Sequence, residues 1–182
     1  MIQELYNQIS SKMDEIDLQE EADLFIGHYN IRSYITSARY YKALAAYCML
    51  KSPKNVLELG TCSGASAACL SKYASKVLTI DVDFRHVHNS EVLESRGIVF
   101  KKVSPEETVN VDFVGHDLVF IDIDHTGLKE TVLHNRLKES YKGYVFWDDV
   151  QSNAGMRKFW DGIDRPKIAT DWHGSGFGIV QY

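Results

Sequence analysis

Apolar residues at Ile2, Leu5, Ile9, Met13 and Ile16 fall three or four positions apart, the spacing of one face of a helix. A second helix is expected from about Thr36 to Leu50, with Tyr40, Tyr41, Leu44, Tyr47 and Cys48 on its apolar side and Pro53 ending it. Between the two, Phe25 to Tyr34 is aromatic without a period and receives no assignment.

From Asn55 onward short apolar runs alternate with helical stretches. Val56–Leu59 reads as a strand stopped by Gly60, and Ser63–Tyr73 as a helix. Lys76–Ile80 is a strand ending at Asp81, and His86–Arg96 a helix closed by Gly97. Ile98–Val103 is a third strand. Ser104-Pro105-Glu106-Glu107 then has the form of a capping box with Pro at the first helical position. Leu118–Ile121 is a strand ending in Asp122, and Thr126 is expected to cap a helix carrying Leu128, Val132, Leu133 and Leu137 that stops near Gly143. Tyr144–Trp147 is a strand ending in Asp148 and Asp149. After it come a helix around Met156–Trp160 and strands near Lys167–Ala169 and Phe177–Val180, joined by a turn at Gly174-Ser175-Gly176.

Strands that are apolar throughout and alternate with helices imply a parallel sheet covered on both faces. The expected fold is therefore α/β, a doubly wound, mostly parallel seven-stranded sheet. A helical annex (1–52) precedes the core (53–182) in one domain, and the glycine-rich tail pairs antiparallel at one edge.

Composition narrows the function. The chain has 182 residues, 45% hydrophobic and 25% charged, with 20 Lys+Arg against 25 Asp+Glu, and that acidic balance without a basic run disfavours nucleic-acid binding. No apolar stretch is long enough for a membrane span, and the first residues lack a signal-peptide pattern, so a cytoplasmic location is expected. Cys48, Cys62 and Cys69 have no framework or zinc spacing and read as reduced core thiols.

The first strand runs into Glu58-Leu59-Gly60-Thr61-Cys62-Ser63-Gly64 at the start of a helix, where glycines permit a tight turn and close approach to a ligand. The next strand ends in Asp81, 21 positions after Gly60, about the interval at which an acid bonds both ribose hydroxyls in a nucleotide fold. Cys62 stands where a dinucleotide loop carries its second glycine, which disfavours a pyrophosphate and an NAD-dependent oxidoreductase. Glu58 suits a ligand with an amino group, and a nucleoside without phosphates fits the whole.

The second informative region is Asp122-Ile123-Asp124-His125 with Asp148-Asp149. If the fourth and fifth strands are neighbours, Asp122, Asp148 and Asp149 converge, and their repulsion is relieved by a hard divalent cation with oxygen ligands. Acids after strands also cap loops, and His125 can equally bond locally. The other histidines have no mutual spacing that makes a site; His173, beside Trp172 and the Gly174-Ser175-Gly176 turn, is read first as a solvated loop residue, with a place at the pocket border as the alternative.

On these residues the chain resembles the class I S-adenosylmethionine-dependent methyltransferases, with a Rossmann-like sheet whose last strand is antiparallel. Within that class it is similar to the small cation-dependent O-methyltransferases of the catechol and caffeoyl-CoA type and their bacterial antibiotic and sugar relatives. The resemblance covers roughly Pro53 to Val150. It implies a cofactor site of Glu58, Gly60, Thr61, Ser63, Gly64, Asp81 and Ser104, with Ser104 toward adenine, although the capping box explains Ser104 equally well. It implies metal ligands Asp122, Asp148 and Asp149, with Mg the expected ion and Mn or Ca as alternatives. His125, where relatives carry a lysine, and Asp122 are the catalytic candidates. A small-molecule hydroxyl is the expected acceptor, and a homodimer through the first 50 residues is a further expectation. Metal-independent transfer with His125 as base, and a non-catalytic nucleoside-binding or assembly module, are the alternatives. The chain lacks an Asn-Pro-Pro-Tyr or Asp-Pro-Pro-Tyr segment, against a DNA-base methyltransferase.

Overall fold

The computed structural model describes all 182 residues. Eight helices and seven strands follow in order: α1 Ile2–Lys12, α2 Gln19–Asp23, α3 Tyr29–Ser37, α4 Arg39–Lys51, β1 Asn55–Leu59, α5 Ala65–Ser71, β2 Lys76–Asp81, α6 Ser90–Ser95, β3 Ile98–Lys102, β4 Leu118–Ile121, α7 Leu128–Ser140, β5 Tyr144–Trp147, α8 Ala154–Gly162, β6 Lys167–Thr170 and β7 Phe177–Gln181. No helix is long and apolar enough to cross a membrane.

The strands form one sheet in the order β3-β2-β1-β4-β5-β7-β6. β1 to β5 are parallel, and β7 runs antiparallel to both β5 and β6. The chain reverses its direction of winding between β1 and β4, which opens a crevice at their carboxyl ends. The tail differs from expectation in one respect: β7 is interior and β6 forms the edge. Phe177, Ile179 and Val180 are buried on β7, whereas β6 is half-buried over Lys167 and Ile168 and exposed at Ala169, so the more apolar strand takes the position covered on both faces.

Side chains alternate across the sheet. Val56, Leu118, Phe120, Phe146 and Ile179 point to one face, packed by α1, α4 and α5, and Leu57, Leu59, Val119, Ile121, Val145 and Trp147 point to the other, packed by α7 and α8. The annex shares the first of these cores through Leu5, Ile9, Ile35, Leu44 and Tyr47. It is also tied down by Glu21 of α2, whose buried carboxylate accepts from Lys72 Nζ at 2.9 Å and Arg96 at 3.0 Å.

Several expectations shift, among them the His86–Arg96 helix, which forms only over Ser90–Ser95, and the cap of α7, which is Gly127 and not Thr126. The unassigned segment holds α3, a mostly exposed helix with only Ile35 buried, so little apolar period marks it. The expected Thr36–Leu50 helix starts at Arg39, after Ala38 adopts an extended conformation. On α7, Leu128 and Val132 face solvent, and Glu130 and His134 are buried beside Leu133 and Leu137.

Candidate functional site

The crevice is a cavity of about 700 Å³ at the carboxyl ends of the strands, within the usual range for a small-molecule site. Its walls include Thr61, Cys62, Ser63 and Ser66 from the β1–α5 segment, Asp122, His125, Asp148 and Asp149 from the ends of β4 and β5, and Tyr34, Tyr40 and Tyr41 from the annex.

The β1 side is built largely from backbone. Gly60 has φ +96°, and a Cβ there would sit 1.9 Å from the carbonyl oxygen of Asp122, so only glycine lets β1 end against β4. Gly64, at φ +86°, opens α5. Asp81 turns onto the loop: Oδ2 accepts from Thr61 N at 2.8 Å and Cys62 N at 3.1 Å, and Oδ1 accepts from Val82 N at 2.6 Å. Thr61 and Ser63 thus line the cavity, and Asp81 supports them from behind. Cys62 is an exposed wall residue in the left-handed region (φ +45°), not a core thiol, whereas Cys48 and Cys69 are buried.

Glu58 is completely buried, and neither carboxylate oxygen reaches a partner at hydrogen-bond geometry. Burial pushes its pKa up to about 7, with the charge of Asp81 adding to the shift and the nearby Ser66 and Thr79 hydroxyls offsetting part of it. Ser104 lies outside the cavity walls. Its backbone N–H donates to Glu107 Oε2 at 2.7 Å, and its hydroxyl accepts from Glu107 N at 3.4 Å, so the capping box forms, on a short 3₁₀ turn.

At the other side β4 and β5 are neighbours in register, Ile121 opposite Trp147, and this brings the three acids to one mouth. Consecutive residues of an extended chain point to opposite faces. Asp149 escapes this by a left-handed backbone (φ +58°), as do Asp124 and His125 (φ +58° and +55°), so strained residues cluster at the cavity. His125 Nε2 lies 3.3 Å from Asp122 Oδ1, and its Nδ1 lies 3.4 Å from Asp149 Oδ2. The His125 backbone is held from both sides: its N–H donates to Glu130 Oε1 at 2.8 Å, and its carbonyl accepts from Asn153 Nδ2 at 2.6 Å. Burial first, then the charges of Asp148 and Asp149, push the Asp122 carboxyl well above the usual carboxylate range.

His173 belongs to this site and not to a solvated loop. Its Nδ1–H donates to Asp148 Oδ1 at 2.8 Å, and this bond raises its pKa. Its Nε2 is 2.8 Å from the Tyr34 hydroxyl of α3, which donates to it when the ring is neutral. Ser175 Oγ donates to Asp149 Oδ1. The donor atoms of Asp148, Asp149 and His173 all lie within 4.8 Å of one another, close enough to share a metal ion, whereas Asp122 stands outside that group against His125. A divalent cation therefore fits the residues present, through two carboxylates and an imidazole. Sequence reasoning placed His173 no nearer than the pocket border and missed Tyr34 and Ser175. The only local signal was the Trp172-His173-Gly174-Ser175-Gly176 turn following the sixth strand.

No family model and no curated protein matches the chain. Solved structures do. The SAH-bound methyltransferase PaMTH1 of Podospora anserina superposes with a TM-score of 0.72 at 14% identity, covering 98% of this chain and 95% of that one. An O-methyltransferase from Bacillus cereus in complex with SAH gives 0.61 at 21% identity over 94% and 91% of the two chains. TomG of Streptomyces achromogenes, an O-methyltransferase of tomaymycin synthesis solved with SAM, gives 0.62 at 20% identity over 90% and 88%. These likenesses establish the class of fold: the seven-stranded sheet of the S-adenosylmethionine-dependent O-methyltransferases.

Proposed function

We propose that the protein is an S-adenosylmethionine-dependent methyltransferase that methylates a hydroxyl of a small molecule with the help of a divalent cation. The observation that carries this reading is the meeting of the glycine loop and the acid cluster in one cavity at the switch point of the sheet. Glu58, buried without a partner, is the group expected to answer the ammonium of the cofactor's methionine portion. Gly60, Thr61, Ser63 and Gly64 shape the loop around that portion, and Asp81 serves the ribose. Ser104 toward adenine rests on the resemblance alone.

Methyl transfer from a sulfonium needs a nucleophile placed in line with an already electrophilic carbon. Tyr40 and Tyr41, with ring centroids 4.1 Å apart, wall the cavity and exclude water from that approach. His125, at the mouth of β4, accepts the hydroxyl proton at Nε2, beside Asp122, while Asp149 faces its buried Nδ1 and stabilises the imidazolium. A divalent cation held by Asp148 and Asp149 would supply Lewis-acid activation and orientation of the acceptor hydroxyl. The His125 ring between two carboxylates also favours a second reading, in which His125 acts as base without a metal. A homodimer through the annex completes the proposal and is checked by light scattering.

Calorimetric titration of S-adenosylhomocysteine, with and without magnesium, tests the cofactor. Micromolar binding supports the reading, and absence of binding in both conditions ends it. An acceptor screen with and without chelator then separates the two mechanisms.

A further inference from the structure

Resting on the cation reading above, we infer that the cation site of this chain is formed by Asp148, Asp149 and His173, with a nitrogen among its ligands and with Asp122 outside it. The site therefore selects a borderline first-row ion such as Co²⁺ or Zn²⁺ over Mg²⁺ or Ca²⁺.

The spacing fits direct ligation. Adjacent ligands of an octahedral ion with bonds of about 2.1 Å lie about 3 Å apart. His173 Nδ1 is 2.8 Å from Asp148 Oδ1 and 3.5 Å from Asp149 Oδ1. Ligation would require Nδ1 to give up the proton it now shares with Asp148 and the two side chains to turn slightly apart.

The surrounding bonds are those of a supported ligand set. A ligating imidazole is usually oriented through its second nitrogen, and the Tyr34 hydroxyl is 2.8 Å from Nε2. With Nδ1 given to the ion, Nε2–H donates to the Tyr34 oxygen. Asp149 is fixed by the Ser175 hydroxyl, and Asp148, only 4% exposed, accepts from Asp149 N at 2.9 Å. His125 Nδ1 is sealed from solvent and lies 3.4 Å from Asp149 Oδ2, outside hydrogen-bond geometry. Asp122 has no comparable support and faces His125 instead.

Oxygen-only sets suit Mg²⁺ and Ca²⁺, whereas an imidazole shifts preference toward the later first-row metals. The bond from Tyr34 also makes the annex part of the metal site, so α3 is coupled to cation binding.

The test is titration of Co²⁺ and Mg²⁺ into the chelator-treated full-length protein, read by cobalt visible absorption and by calorimetry, with S-adenosylhomocysteine binding measured separately on every variant. Expected is Co²⁺ affinity at least about tenfold above that for Mg²⁺, a loss of about tenfold or more in His173→Ala, and a change within about threefold in Asp122→Asn. If the alanine variant fails to fold, His173→Gln reports the same loss. Unchanged Co²⁺ affinity in the His173 variants, a loss in Asp122→Asn as large as in Asp148→Ala, or no divalent binding at all overturns the inference. Cobalt binding with the expected variant pattern but no S-adenosylhomocysteine binding upholds the site and removes the methyltransferase reading.

Discussion

At the β1 and β2 ends of the cavity, the charge of Asp81 is answered by the backbone N–H groups of Thr61, Cys62 and Val82. At the β4 and β5 ends, three carboxylates receive a single backbone N–H, from Asp149 to its neighbour Asp148, and draw their other partners from His125, His173 and Ser175. The first half is a preformed cradle in which Asp81 is satisfied by backbone and the buried Glu58 is left without a partner. The second holds excess negative charge balanced by side chains from distant segments, and it is the half with spare capacity for a cation and for proton transfer. The difference predicts that substitutions on the two sides separate cofactor affinity from turnover.

The largest effect is expected from Asp148→Ala, which removes the partner of His173 and a cation ligand. Transfer falls by at least about 100-fold in kcat while S-adenosylhomocysteine affinity stays within about threefold, as steady-state kinetics and calorimetry report. A parallel collapse of cofactor binding would erase the division between the halves.

Glu58 supplies the next effect. Its pKa is raised from 4.5 to about 7 in the folded chain. Below 4.5 the group is protonated in both the folded and the unfolded chain and imposes no penalty. Between 4.5 and about 7 the unfolded chain releases the proton and the folded chain keeps it, so stability is lost as pH rises through that window. The loss is on the order of 3 kcal/mol. Thermal melts from acid to neutral pH should show this slope in the unliganded protein, flattened in Glu58→Gln. S-adenosylhomocysteine should restore more stability at neutral pH than at pH 5, because its ammonium pairs with the ionised carboxylate. Equal stabilisation at both values would separate Glu58 from the cofactor.

Asp81→Ala comes third. It removes the acceptor for the backbone N–H groups of Thr61, Cys62, Val82 and Asp83 and the expected ribose partner, and weakens S-adenosylhomocysteine by roughly 10- to 30-fold, about 1.5–2 kcal/mol. Cation affinity, measured in the same protein, should not move.

Tyr34→Phe is the smallest change, the loss of one hydrogen bond to His173 worth about 1 kcal/mol, read as a several-fold drop in cation affinity with cofactor binding intact. An equal drop on both sides would mean that α3 acts on the whole cavity and not through His173.

Some features were legible because the physics that fixes them is local. The strands at Leu118–Ile121 and Tyr144–Trp147 appear in the sequence at their structural bounds, since a strand covered on both faces needs an unbroken apolar run. The capping box at Ser104 and Glu107 forms from residues three apart. α3 was hidden because it buries only Ile35 and so carries no strong period. Ser104 illustrates the limit of motif reading: one residue type served both a local cap and a proposed ligand contact, and the structure realises the cap.

By itself the sequence determined the parallel core, the glycine loop, the acid at the end of the second strand and the acids that follow the fourth and fifth strands. Each of these follows from periodicity or from residues close along the chain. Only the tertiary structure decided that β7 inserts between β5 and β6, and this insertion carries His173 and Ser175 to acids more than 20 positions earlier. It likewise decided that α3 brings Tyr34 to His173 from 139 positions away. No local pattern encodes such meetings, because they are set by which strand fills a doubly covered place in the sheet and by which helix closes over its end.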